Sequence, residues 1–146
     1  MSLTNTAENA IIDLIFNNTD FANVGDAGGL LGSATAGSLY VSLHTSDPGE
    51  TGDQTTNECA YTSYSRVAVA RTSGGFTVSA DTATNTAAVT FPAATGGSET
   101  ATHFGIGTAS SGSGILIMSG ALSASLAISS GITPEFAIGQ LSTSAA

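Results

Sequence analysis

Leu39, Val41 and Leu43 alternate with Tyr40, Ser42 and His44. Successive strand side chains point to opposite faces, so this alternation predicts a strand with one buried face. Ser46-Asp47-Pro48-Gly49 ends it. Ser and Asp bond back to nearby backbone, Pro has no N–H for a ladder, and Gly tolerates positive φ. A strand so regular is expected to be central, with later strands added to it.

Before it, the pattern is helical. Thr6 is placed to cap a short helix with Glu8 in its first turn, where the helix dipole favours an acid. Ala7, Ala10, Ile11, Leu14 and Ile15 form an apolar stripe, which Ile12 and Phe16 widen. A helix apolar over so much of its girth needs cover on more than one side, from the sheet or from a neighbouring subunit. Asn17-Asn18-Thr19-Asp20 ends it. Phe21 to Gly37 then reads as a Gly/Ala/Ser arm along a surface, longer than an ordinary connection. Leu30 and Leu31 are expected to plug into the core or a partner.

After it, short apolar runs alternate with turn signals. Strands are expected at Tyr61–Arg71, Phe76–Val78, Ala87–Phe91, Thr100–Thr108, Ile115–Met118 and Ala121–Ile128, with a last one holding Phe136, Ile138 and Leu141. Asp81–Thr86 and Ser110–Gly114 read as loops. Gly74-Gly75, Pro92, Gly96-Gly97 and Gly131–Pro134 punctuate the series. Such spacing predicts an all-β chain, an antiparallel, jelly-roll-like β-sandwich with a short N-terminal α-helix and an extended arm. The organisation expected is a helix and arm over 1–37 and a β-sandwich domain over 38–146.

Composition narrows the partners. Only 9% of the 146 residues are charged, against about 25% in ordinary domains. Ser, Thr, Gly and Asn must therefore supply the polar coat. Arg66 and Arg71 are the only basic side chains apart from histidine, against 11 acids, for a net charge of -9. Phosphate backbones and anionic membranes require clustered Lys and Arg, so no nucleic-acid or membrane partner is expected. No run of about 20 apolar residues is present, and no basic-then-apolar leader is visible at the N-terminus. Cys59 stands alone, which excludes an internal disulfide.

Candidate chemistry is thin. Asp47, Glu50, Asp53 and Glu58 offer oxygen ligands in a loop, but not at EF-hand spacing, and read as a solvated acidic loop. His44 lies near Ser46 and Asp47, yet no nucleophile turn or oxyanion motif accompanies them. His44 and His103 read as strand histidines with hydrogen-bond partners. Gly105-Ile106-Gly107 lacks the Lys-Ser/Thr and the helix of a phosphate loop. Cys59 reads as a small buried apolar side chain. Arg66 and Arg71 sit an odd number of positions apart, on opposite faces of an unbroken strand. Each suits a subunit boundary or an ordinary ion pair within the chain. No catalytic residue, metal site or cofactor is expected.

Leu39-Tyr40-Val41-Ser42-Leu43-His44-Thr45-Ser46-Asp47-Pro48-Gly49, Tyr61-Thr62-Ser63-Tyr64-Ser65-Arg66-Val67-Ala68-Val69 and Ala87-Ala88-Val89-Thr90-Phe91-Pro92 follow one another in the chain. Thr102-His103-Phe104-Gly105-Ile106-Gly107 and Ser119-Gly120-Ala121-Leu122 complete the order. Together with the Glu8-Asn9-Ala10 helix, the order resembles a family of small tailed-bacteriophage virion structural proteins, tail-fibre-like or minor structural. The resemblance implies a non-enzymatic virion component, a homo-oligomer bound to the major capsid protein or other virion proteins. A capsid decoration (cement) protein is the first expectation. A tail, baseplate or fibre subunit is second, and a glycan-binding host-recognition module third. Ile11, Ile12, Leu14, Ile15, Phe16, Leu30, Leu31, Arg66 and Arg71 are the residues expected at its contacts.

Overall fold

The computed structural model describes residues 2–145. The chain is mostly β, with one N-terminal helix, and divides into two compact units.

The first unit combines Met1–Ser38, Ala70–Ala88 and Ala137–Ala146. Helix α1 runs Asn5–Asn17, and its N-cap is Thr4, two residues before the expected Thr6. No side chain caps that end; the Ala7 and Glu8 N–H groups donate to Thr4 O. At the other end Asn18 takes φ 57°, and the Thr19 N–H returns to Asp13 O at 3.2 Å. Asn is one of the few residues other than Gly that enters this left-handed region cheaply. The fully buried helix residues are Ile12 and Phe16, one turn apart, while Ile11, Leu14 and Ile15 are half-buried.

The helix packs on a three-stranded antiparallel sheet of order β3-β4-β9, where β3 is Phe76–Ser79, β4 Thr82–Asn85 and β9 Ser142–Ser144. Phe16 meets Phe76 edge-on, with ring centroids 4.8 Å apart. β4 lies where a loop was expected, and it is the middle strand. Ala83 and Asn85 alternate inward, and the buried Asn85 amide binds three backbone segments. It donates to Ala87 O and Ala137 O and accepts from the Leu141 N–H. A polar strand reads as a loop when its inward polar residue owes its burial to partners far along the chain.

The arm folds back on itself. Phe21 and Leu30 exchange both backbone hydrogen bonds, Asn18 brackets Ser33 through its amide, and the Asp20 carboxylate accepts the Gly32 N–H.

The second unit combines Leu39–Val69 and Val89–Phe136. Its main sheet has the order β2-β1-β6-β7, with β1 Ser38–His44, β2 Val67–Ala70, β6 Ser98–Gly107 and β7 Leu116–Ser129. The expected strand at Leu39–His44 is central here, paired antiparallel with β6 from Tyr40↔Gly107 to His44↔His103. Leu39, Val41 and Leu43 are buried, as are Phe104 and Ile106 of β6. A short ladder of β5 (Val89–Thr90) and β8 (Glu135–Phe136) completes the unit. Its rings join the core: Phe136 lies 5.9 Å from Phe104 and 6.3 Å from Phe91, which stacks in turn with Tyr64.

Three expectations change in this unit. Tyr61–Ser65 is irregular and turns through the Tyr64 N–H to Tyr61 O bond, so β2 starts only at Val67. The last expected strand shrinks to β8 at Glu135–Phe136. The two expected strands at 115–118 and 121–128 are one, β7, because Ser119-Gly120 is no turn. A Cβ on Gly120 would come within 2.9 Å of the Phe104 ring, so glycine there serves packing. Register shifts at Ala101/His103 and Ile106/Gly107 absorb the length mismatch as bulges. Among the described residues the strands make one four-stranded, one three-stranded and one two-stranded ladder, and none closes into a barrel. A jelly-roll is a finer arrangement than these ladders establish.

Candidate functional site

One face of the β1–β6 pair is polar, and the acidic segment 45–60 is tied to it. Ser42 and His44 of β1 point to this face and are both buried. His44 Nδ1 lies 2.8 Å from Thr56 O, which has no hydrogen to give, so Nδ1 donates. Nε2 is then the acceptor for the Ser42 hydroxyl at 2.9 Å. Burial, opposed by the bond to Thr56, holds the His44 pKa below its ordinary value and favours this neutral tautomer. The partner of His44 is therefore Ser42, behind it in the strand. Ser46 and Asp47 are exposed in the loop, where the Asp47 carboxylate accepts the Gly49 N–H. A buried serine–histidine pair without an exposed face serves packing.

Glycines make room for this layer. A Cβ on Gly105 would lie 2.6 Å from His44 Nε2 and 2.7 Å from the Ser42 hydroxyl. Gly107 and Gly114 likewise leave space for the buried Gln54 side chain, whose Oε1 accepts the Ala109 N–H at 2.9 Å. No alternation or motif marks Gln54 in the sequence; what accommodates it is the pair of glycines that face it, Gly107 and Gly114.

Arg66 closes the edge of the layer. It is 9% exposed, and its Nε and Nη2 grip both Glu58 oxygens, at 2.7 and 2.8 Å. Nη1 donates to Ala109 O and Nη2 to Gly112 O, which pins the Ser/Gly loop 109–114. The Tyr64 hydroxyl donates to Glu58 and accepts the Leu43 N–H, tying the pair to β1. Glu58 strengthens the hold of Arg66 on its proton. Burial pushes the Tyr64 phenol well above its usual range and the Cys59 thiol up to about 12, so neither ionises near neutrality. Hydrogen bonds from Thr55 hold the Asp53 carboxyl below the ordinary range. Among the described residues no three His, Cys, Asp or Glu side chains gather as a metal site.

Arg71, in the first unit, faces the helix end. Its Nε and Nη2 donate to Ile15 O and Leu14 O, at 2.7 and 2.6 Å, and its Nη1 donates to Ser33 Oγ and Ala36 O. Helix α1 has no basic residue in its last turn, so this cation supplies both the donors and the charge that its C-terminal carbonyls need. Leu30 and Leu31, the expected plug, lie on the surface at 46% and 68% exposure. Leu3 and Val24 are also exposed, so residues before β1 carry four of the seven large exposed apolar side chains described.

Among the described residues these bonds tie distant segments of the chain together, and Leu3, Val24, Leu30 and Leu31 lie exposed. Comparison with protein families gives the context. Residues 2–144 match the model of the family described as "Podophage GP4 fiber I protein gp80". The chain belongs to this family. Comparison with curated proteins yields no match. As a member of the podophage fiber protein family it is a bacteriophage virion structural protein, acting with other proteins of the particle. Within this layer the His44 ring, the Glu58 carboxylate and the Arg66 guanidinium are all held by partners of the chain itself.

Proposed function

We propose that this chain is a subunit of a podophage tail fibre. The match to a fiber protein family over residues 2–144 carries the reading. It moves the tail role ahead of the capsid decoration role that the neutral, compact chain first suggested. The docking element proposed is the surface of the first unit around Leu30 and Leu31, with Ile11, Leu14 and Ile15 half-buried in the same unit. Ile12, Phe16 and Arg71 support such contacts from within the first unit, because each is buried or bonded to its own chain, whereas Arg66 is bonded within the second unit. A glycan-stacking role finds less support: none of the described aromatic side chains is exposed, and sugars bind by stacking on open rings.

Labelling the chain in intact virions with a gold-conjugated antibody tests the reading. Signal at the tail is the expected result. Signal over the whole head would overturn it in favour of shell decoration. Leu30→Ser/Leu31→Ser is expected to fold normally and to lower incorporation into particles.

A further inference from the structure

The geometry points to β7 as a self-association edge: two copies of this chain pair their β7 strands antiparallel about a two-fold axis. This inference holds whether the chain sits on the tail or the head, and so does not rest on the fibre reading. β7 is the longest strand and lies at the end of the β2-β1-β6-β7 sheet. One side bonds to β6; the other faces no strand of the sheet, which leaves a row of peptide groups to satisfy.

Exposed edges are usually protected by charge, proline or shortness. β7 has none of these: no Asp, Glu, Lys, Arg or Pro lies between Leu116 and Ser129, and no charged residue occurs from Thr100 to Pro134. In a chain of net charge -9 this is the segment where a second copy meets no repulsion. The other sheet edges are shorter: β2 and β3 have four residues each, β9 three. β2 is also flanked by Arg66 and Arg71.

The exposed apolar side chains of the second unit favour the same occupant. They are Ile115 at 67% and Ile132 at 38%, and they flank β7 at its two ends. Antiparallel pairing centred between Leu122 and Ser123 brings Ile115 of each copy to the end where the other carries Ile132. The bulge that follows from the Ala101/His103 shift lies on the axis. Ladders then form on either side of it, between 116–119 of one copy and 126–129 of the other. At ~3.3 Å per residue and ~10 Å thickness, the strip is roughly 450 Å² per copy. That lies at the low end for specific interfaces, so the dimer is weak in solution and strengthened where copies are held together.

Sedimentation of the full chain over a concentration series tests the pairing. A concentration-dependent dimer is expected, with slowed amide exchange at 116–119 and 126–129 that grows with concentration. Ser119→Lys and Ala127→Lys each set a charge on the open edge within the ladder the partner strand would form, on side chains exposed in one copy. Each is expected to weaken the dimer severalfold while leaving the unfolding temperature unchanged. Each also lowers the overall negative charge, so the loss cannot come from added net repulsion. Ile115→Ser, outside the strand, is expected to act in the same direction, whereas Leu31→Ser leaves the dimer intact. A wild-type monomer at millimolar concentration would overturn the proposal. Protection of the edge only in assembled particles would also overturn it, assigning the edge to a different virion protein. Association indifferent to all three edge changes would have the same consequence.

Discussion

Replacing Arg66 by alanine removes four hydrogen bonds and a charge from a site with little access to water. Glu58 keeps the Tyr64 hydroxyl as a donor, and its side chain is only 15% exposed. Stranding one member of a buried pair costs about 3–5 kcal/mol. Gly112 is exposed and its carbonyl regains water, while the half-buried Ala109 carbonyl adds about 1 kcal/mol. The expected loss of roughly 4–6 kcal/mol is a large part of the ~5–15 kcal/mol that stabilises an ordinary domain. At ~2–4 °C per kcal/mol for a chain of this size, the unfolding temperature falls by roughly 10–20 °C. Arg66→Met/Glu58→Leu removes both charges and is expected to regain at least half of that loss, because nothing ionised is left buried. Thermal unfolding by circular dichroism and calorimetry reads both variants. An Arg66→Ala protein melting within about 2 °C of wild type, under 1 kcal/mol on that scale, would refute the reasoning. So would a double variant no more stable than the single one.

Three other outcomes follow from the same layer. His44 has its pKa lowered by burial from an ordinary 6.5, so below that pH the unfolded chain binds more protons than the folded one. Its contribution is full above about pH 6.5 and is lost as the pH falls towards the depressed folded value. A denaturant series across that window should show the slope in wild type and its reduction in His44→Gln. Gly105→Ala overpacks the Ser42–His44 contact and should cost about 1–3 kcal/mol by urea titration; a neutral result would mean that the layer shifts freely. Cys59 is buried with its thiol pushed up to about 12, so it should resist a thiol reagent in the native protein and react fully once unfolded. Rapid native labelling would contradict its placement.

The alternation Leu39–Val41–Leu43 determined the central strand without help, since a period of two has one physical meaning when a turn follows at once. Ile12 and Phe16 were within the expected helix, and the αL stop was written in Asn17-Asn18. The family resemblance lay in the same local words, and the match over residues 2–144 upheld it. Tertiary structure decided what depends on distant partners. Thr82–Asn85 is a strand because Asn85 finds bonds at residues 137 and 141. Ser119-Gly120 continues a strand because the Phe104 ring lies over it. His44 bonds to Ser42 because Gly105, on the facing strand, leaves the space. Arg66 and Arg71 could be named from a sequence with so few cations, but their partners could not. A guanidinium is satisfied by whichever carbonyls and carboxylates the fold brings within about 3 Å, and only the folded chain sets those distances.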